Sequence, residues 1–138
     1  MSLQFQPKPR AIVVCDFSGF IEPEIIKRRP VVVLAVHKRN SKLVTVVPLS
    51  TTAPNPIEAH HYRLKQNPIP GEQAESWVKC DMLAVVSIER LDLVRTARGP
   101  DGKRRYLTPQ IGQDQFDAIR RGVASALGLI SLFVPPVP

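Results

Sequence analysis

Cysteine, histidine and acidic side chains are all scarce in this sequence. Its 138 residues hold two cysteines, Cys15 and Cys80, and three histidines. The cysteines lie far apart in apolar stretches without Cys-x-x-Cys spacing, so they read as reduced core residues, not a disulfide framework or a metal site. Three histidines do not suggest a dedicated zinc cage, and no metal or cofactor is expected. No apolar run approaches the ~20 residues of a membrane helix. The first ten residues are polar and proline-bearing instead of forming the apolar core of a secretion signal, so a cytoplasmic domain is expected. Internal repeats and low-complexity tracts are absent. With 43% hydrophobic and 22% charged residues, wholesale disorder and fibrous classes are excluded, and the length suits one domain spanning residues 1–138.

The shortage of acid sets the net charge. Nineteen Lys and Arg against twelve Asp and Glu leave +7, with a pI near 9.9. Such a balance suits a polyanionic partner, because basic side chains release condensed counterions from a nucleic-acid backbone. Charge alone fits a basic protein kept in solution equally well.

Fourteen prolines divide the chain into short segments. Ala11–Phe17 and Pro30–Val36 are β-branched runs bounded by turn or charged residues, and read as strands. Leu43–Leu49 is a third, reached through a short turn at Lys38–Ser41, with Pro48 where an edge or bulge must excuse its missing donor. Ile57–Leu64 is a weaker fourth, Trp77–Val86 a fifth and Asp92–Arg95 a sixth. Gln66–Ser76, with Pro68, Pro70 and Gly71, is a loop. From Gln113 to Leu127, Phe116, Ile119, Val123 and Leu127 recur at helical spacing, and Gly128 suits the residue after the helix. Leu132–Pro138 should be extended or frayed. The expectation is a mainly β (α+β) fold: a small, strongly curved sheet or partial barrel with one or two helices packed on it.

Four constellations carry chemistry. Lys27-Arg28-Arg29-Pro30 precedes a strand, and the proline holds Arg29 extended. A guanidinium there suits bidentate phosphate contact, or the stretch is a solvated basic turn. Ser50-Thr51-Thr52 follows the third strand, either to bond phosphate and ribose oxygens or to satisfy its own turn. Alternation places Lys79 and Asp81 on one strand face and Cys80 on the other, as a surface ion pair or part of a polar site. His60 and His61 are adjacent in an expected strand, so only one of them should reach a given site.

The order of these pieces resembles the MazF/PemK (Kid) family of toxin endoribonucleases over residues 11–93. The similarity runs through IVVCDF (Ile12–Phe17), RRPVVVL (Arg28–Leu34), VTVVPLSTT (Val44–Thr52) and KCDML (Lys79–Leu83). It implies an SH3-like, CcdB-like barrel with appended helices, including the C-terminal one near 113–127, usually as a homodimer. It implies metal-independent cleavage of single-stranded RNA and inhibition by a cognate antitoxin, which the charge suggests is acidic. Carried over by position, Arg29 stabilises charge on the scissile phosphate, Ser50 holds the phosphate, and Lys79 and Asp81 take the acid and base roles. Lys27, Arg28, Thr51, His60 and His61 are the candidate RNA-binding residues.

The sequence departs from that family in places. Arg10 replaces a glycine before the first strand, Glu24-Ile25-Ile26-Lys27 replaces the usual loop before the Arg-Pro, and Ser50 and Lys79 replace Thr and Arg. Two other readings of the same scaffold are a topoisomerase-binding toxin and a catalytically silent RNA-binding module. Arg95–Arg105, outside the resemblance, is either an extension of an RNA surface or a solvated hairpin around Pro100–Gly102.

Overall fold

The β-branched runs do form strands, with slightly shifted bounds. In the computed structural model, which describes residues 2–133, β1 is Ile12–Cys15, β2 is Arg29–Val36 and β3 is Leu43–Ser50. All pair antiparallel, β1 on β2 from Ile12↔Val32 to Cys15↔Arg29, and β2 on β3 through Val31↔Pro48 and Val32↔Val47.

β3 changes neighbour halfway along. Leu43–Val46 pairs with β6 (Ala84–Ser87), and Leu49 and Ser50 pair with β5 (Trp77–Lys79). Pro48 falls between the two pairings, where no ladder bond on that side requires its missing donor. The resulting sheet runs β4 (His61–Arg63), β5, β3, β2, β1, β7 (Leu91–Asp92), with β6 beside β3. It is bent around β3, and its path stays open instead of closing into a barrel.

Three expected strands are cut short or divided. Ile57–Leu64 contributes only β4. Trp77–Val86 breaks at a 3-10 turn, Cys80–Met82, between β5 and β6. Asp92–Arg95 divides between β7 and β8 (Val94–Arg95), and β8 pairs with β9 (Tyr106–Leu107) in a separate ribbon. Residues 66–76 form a loop, and 95–105 a hairpin, as read from their Pro and Gly content.

The unbroken apolar runs have a simple cause: the sheet is covered on both sides. Alternate residues supply opposite cores. Val13, Cys15, Val31, Val33, Val44 and Val46 pack with Phe17, Ile88 and Leu91. Ile12, Val32, Val47, Leu49 and Val78 face Phe116, Ile119 and Val123 of α1 (Gln113–Ala126). Cys15 and Cys80 are buried free thiols, one in each core, and burial pushes both up to about 12.

Helix α1 ends one residue before expected, so Leu127 caps it and is 53% exposed instead of joining the buried stripe. Gly128 follows at φ +71°, the left-handed conformation glycine accepts at a helix end. Leu132 closes a 3-10 turn, Ile130–Leu132, and the rest of the expected extended tail, 134–138, lies outside the described residues. No helix among the described residues is long and apolar enough to cross a membrane.

Arg10 explains the glycine it replaces. Its φ is +77°, a conformation costing an L-residue roughly 1–2 kcal/mol. Its Nε donates to the Ile111 carbonyl at 2.9 Å, which offsets part of that cost and ties the start of β1 to the approach of α1.

Candidate active site

Arg29 opens β2, and Pro30 behind it confines its backbone to the extended region. Continuing the β2–β3 register by two pairs beyond Val31↔Pro48 sets Arg29 opposite Ser50, the last residue of β3. Directly opposed residues share a face, so guanidinium and hydroxyl stand together at one end of the sheet. They line a cavity of about 350 Å³ with Thr51, Asn67, Glu72, Ser76 and Arg95 among its polar residues. The Arg29 Nε is buried and has no hydrogen-bond partner among the described residues. A buried N–H left unpaired is costly unless a ligand completes it.

The Ser50 Oγ accepts the Thr52 N–H at 3.1 Å. The turn thus uses a lone pair and leaves the hydroxyl proton free to donate. The far wall is the 66–76 loop, shaped by Asn67, which accepts from the Ile69 N–H and donates to the Ala74 carbonyl.

The loop between β1 and β2 is anchored at its start. Arg90 Nη1 donates to the carbonyls of Asp16 (2.9 Å) and Ser18 (2.7 Å), and its guanidinium carbon lies 5.1 Å from the Phe20 ring centre. Gly19, at φ +92°, makes the turn. Farther on, Lys27 is exposed, and Arg28 reaches Asp92 at 3.4 Å, a half-exposed contact that pins the loop end to β7.

The remaining candidates gather elsewhere. Lys79 ends β5 opposite His61. The 3-10 turn cancels the alternation expected for Lys79-Cys80-Asp81: Cys80 packs under α1, and exposed Asp81 turns to His60 Nε2 at 3.5 Å. Both histidines reach this cluster, contrary to the strand-alternation argument, because His60 precedes β4 and is free of its alternation. Their ring centres are 4.2 Å apart.

One donor atom from each of His60, His61 and Asp81 lies within 4.8 Å of the others. His61 is poorly set to ligate a metal, however. Its Nδ1 accepts the Glu58 N–H at 3.0 Å, so in the neutral ring the proton sits on Nε2 and no lone pair is left to offer. What it presents to the cluster is a donor.

Burial, reinforced by the neighbouring His60, holds the His61 imidazole below its ordinary 6.5. The folded chain therefore resists a proton that the unfolded chain accepts. Stability is expected to be full above pH 6.5 and to fall as pH drops below it. Urea midpoints either side of that value, for wild type and His61→Asn, check this. The variant, whose amide oxygen still accepts the Glu58 N–H, should lose less on acidification; equal losses would place the titration elsewhere.

Two grooves connect the groups. Arg29 borders one with residues 22–27 of the β1–β2 loop. Pro23, Glu24 and Ile25 of that loop border a second, which Asp81 and Met82 complete. Sequence reasoning did not single out Glu72 and Asn67. Arg95 it placed only in a basic segment, not beside Arg29.

A bent antiparallel sheet thus brings Arg29, with one buried N–H unpartnered among the described residues, and strand-end hydroxyls to one cavity. Residues 8–127 match the family described as PemK-like, MazF-like toxin of type II toxin-antitoxin system. The chain belongs to that family. It is 32% identical over 154 residues to the uncharacterised protein YifN of Escherichia coli (strain K12), spanning 96% of this chain and 99% of YifN. Its fold is similar to MazF from Deinococcus radiodurans, with a TM-score of 0.63, 18% identity and coverage of 91% and 99% of the two chains. An endoribonuclease solved in complex with its cognate antitoxin, from a mycobacterial species, gives a TM-score of 0.60 at 18% identity, covering 96% and 99%.

Proposed function

We propose that this chain is the endoribonuclease toxin of a toxin–antitoxin pair, cutting single-stranded RNA at selected sequences in the cytoplasm without a metal ion. The observation that carries this reading is Arg29, whose buried Nε has no hydrogen-bond partner among the described residues, lining one cavity with Ser50 and Thr51. Family membership and the fold shared with a solved endoribonuclease support it.

The chemistry asked of these residues is transphosphorylation. The ribose 2′-oxygen attacks phosphorus and loses its proton to a base. The 5′-oxygen leaves and gains a proton, giving a 2′,3′-cyclic phosphate and a 5′-hydroxyl. Arg29 supplies fixed donors to the phosphorane, where charge accumulates. Ser50 donates its free proton to a phosphate oxygen, and Thr51 lies beside it. Asp81 with His60 takes the 2′-proton. Lys79 protonates the leaving oxygen in this reading, and positioned acid–base groups contribute ~10² to 10⁴-fold. Lys27, Arg28 and His61 contact the RNA on either side of the cut, along the grooves that the 22–27 loop borders with Arg29 and with Asp81.

The partners that go with this activity are a second copy of the chain and an acidic antitoxin. The antitoxin competes with RNA because both read the same positive potential. The test is incubation with a varied panel of single-stranded RNAs in EDTA, with mapping of the new ends. Cyclic phosphate and 5′-hydroxyl ends are expected. RNA bound but intact throughout would instead indicate a silent binding module.

A further inference from the structure

Arg95 enters the Arg29 cavity from outside the main sheet. It stands on β8, one residue beyond buried Val94, and lines the cavity together with Arg29, Ser50 and Thr51. Its register partner across the ribbon is Tyr106, which is 55% exposed. Opposed residues of an antiparallel pair share a face, so Arg95, which lines the cavity, and Tyr106 lie on the same face of the ribbon.

The ribbon is shaped by its own bonds. The Thr96 N–H donates to the Arg105 carbonyl at 2.9 Å, the Arg105 N–H to Thr96 Oγ1 at 3.0 Å, and the Gly99 N–H to the Lys103 carbonyl at 3.0 Å. Between Val94 and Leu107 it carries five basic residues and a single acid, Asp101. The backbone of Lys103 uses that acid, donating its N–H to Asp101 Oδ1.

We propose that this hairpin is a flanking-nucleotide subsite for single-stranded RNA, in which Arg95 holds the phosphate next to the scissile one and Tyr106 stacks its base. The proposal rests on the endoribonuclease reading and deepens it. Proteins that hold single strands combine cations along the backbone with aromatic faces under the bases, and this ribbon offers both in one cross-strand pair. An acidic peptide would use the cations but would leave the tyrosine face unused.

The test is binding of a fluorescent single-stranded RNA oligomer of mixed sequence over a range of salt, with cleavage mapped on the same RNA. Tyr106→Ala is expected to weaken binding by roughly tenfold and to flatten base preference at one position beside the cut, whereas Tyr106→Phe keeps both. Arg95→Gln should reduce the slope of log affinity against log salt by about 0.7, the value for one single-strand phosphate. Melting temperatures should stay unchanged, because the ribbon lies outside the main sheet. Wild-type cleavage with unaltered binding, salt slope and base preference in these variants overturns the subsite and leaves the nuclease reading standing. A wild type that neither binds nor cuts RNA overturns both. Loss of binding only to a polyglutamate peptide would reassign the hairpin to a protein partner and overturn the proposal.

Discussion

Arg29→Ala is expected to abolish RNA cleavage while barely moving the thermal unfolding midpoint. Removing a preorganised donor from a site of developing negative charge costs roughly 10² to 10³-fold in turnover. Stability should hold because the Nε has no hydrogen-bond partner among the described residues to lose. Truncation deletes a half-buried stem and relieves an unpaired polar atom, and the two effects oppose each other. Arg29→Lys should recover only part of the activity, since an ammonium keeps the charge without the planar fork. Ser50→Ala should fall short of the arginine variant, because a neutral hydroxyl bond is about half as strong as a charge-assisted one. Single-turnover rates and melting curves on the same preparations check these points. A serine variant deader than the arginine variant would reverse the assigned roles, and an Arg29→Ala protein melting tens of degrees lower would make Arg29 structural.

Gly122→Ala is expected to lower stability and cleavage together, although alanine is the better helix former. A Cβ at Gly122 would sit 2.7 Å from Cys80 Sγ and 3.0 Å from the His60 carbonyl oxygen. Overpacking of this kind costs about 1–3 kcal/mol, against a helix-propensity gain of about 1 kcal/mol. The net loss should lower the melting temperature by roughly 3–5 °C for each kcal/mol in a chain of this size. The strain falls on the segments that carry His60 and Asp81, so the proposed acid–base cluster should be displaced as well. Adding Cys80→Ala removes the nearest clashing atom and should restore part of the melting temperature. If Gly122→Ala alone melts at or above the wild type, α1 does not approach the sheet as closely as described.

Much of the scaffold could be read from local pattern. The β-branched runs at β1, β2 and β3, the helical spacing of Phe116, Ile119 and Val123, and the loops at prolines and glycines all report short-range preferences that the folded chain keeps. Alternation failed where a strand stopped sooner than its apolar pattern. Cys80 is apolar and buried, but it is buried under α1 from a 3-10 turn, and no residue of Trp77–Val86 signals that break. A late strand start misled the reading of His60 and His61 in the same way: β4 begins only at His61, so His60 stands outside its alternation.

By itself, the sequence determined the curved antiparallel sheet with a late helix, the excess of positive charge, and the placement of Arg29 and Ser50 at strand ends, because these follow from periodicity, composition and proline stereochemistry. Only the tertiary structure decided which groups share a cavity. Arg29, Ser50 and Thr51 meet Glu72, Asn67 and Arg95 there, while Lys79, Asp81, His60 and His61 assemble across the 22–27 loop. That sorting depends on the change of partner along β3, on the turn after Lys79 and on the return of a separate ribbon to the sheet. The first and the last are long-range pairings, and hydrophobic spacing within one segment carries no record of which distant segment will lie beside it.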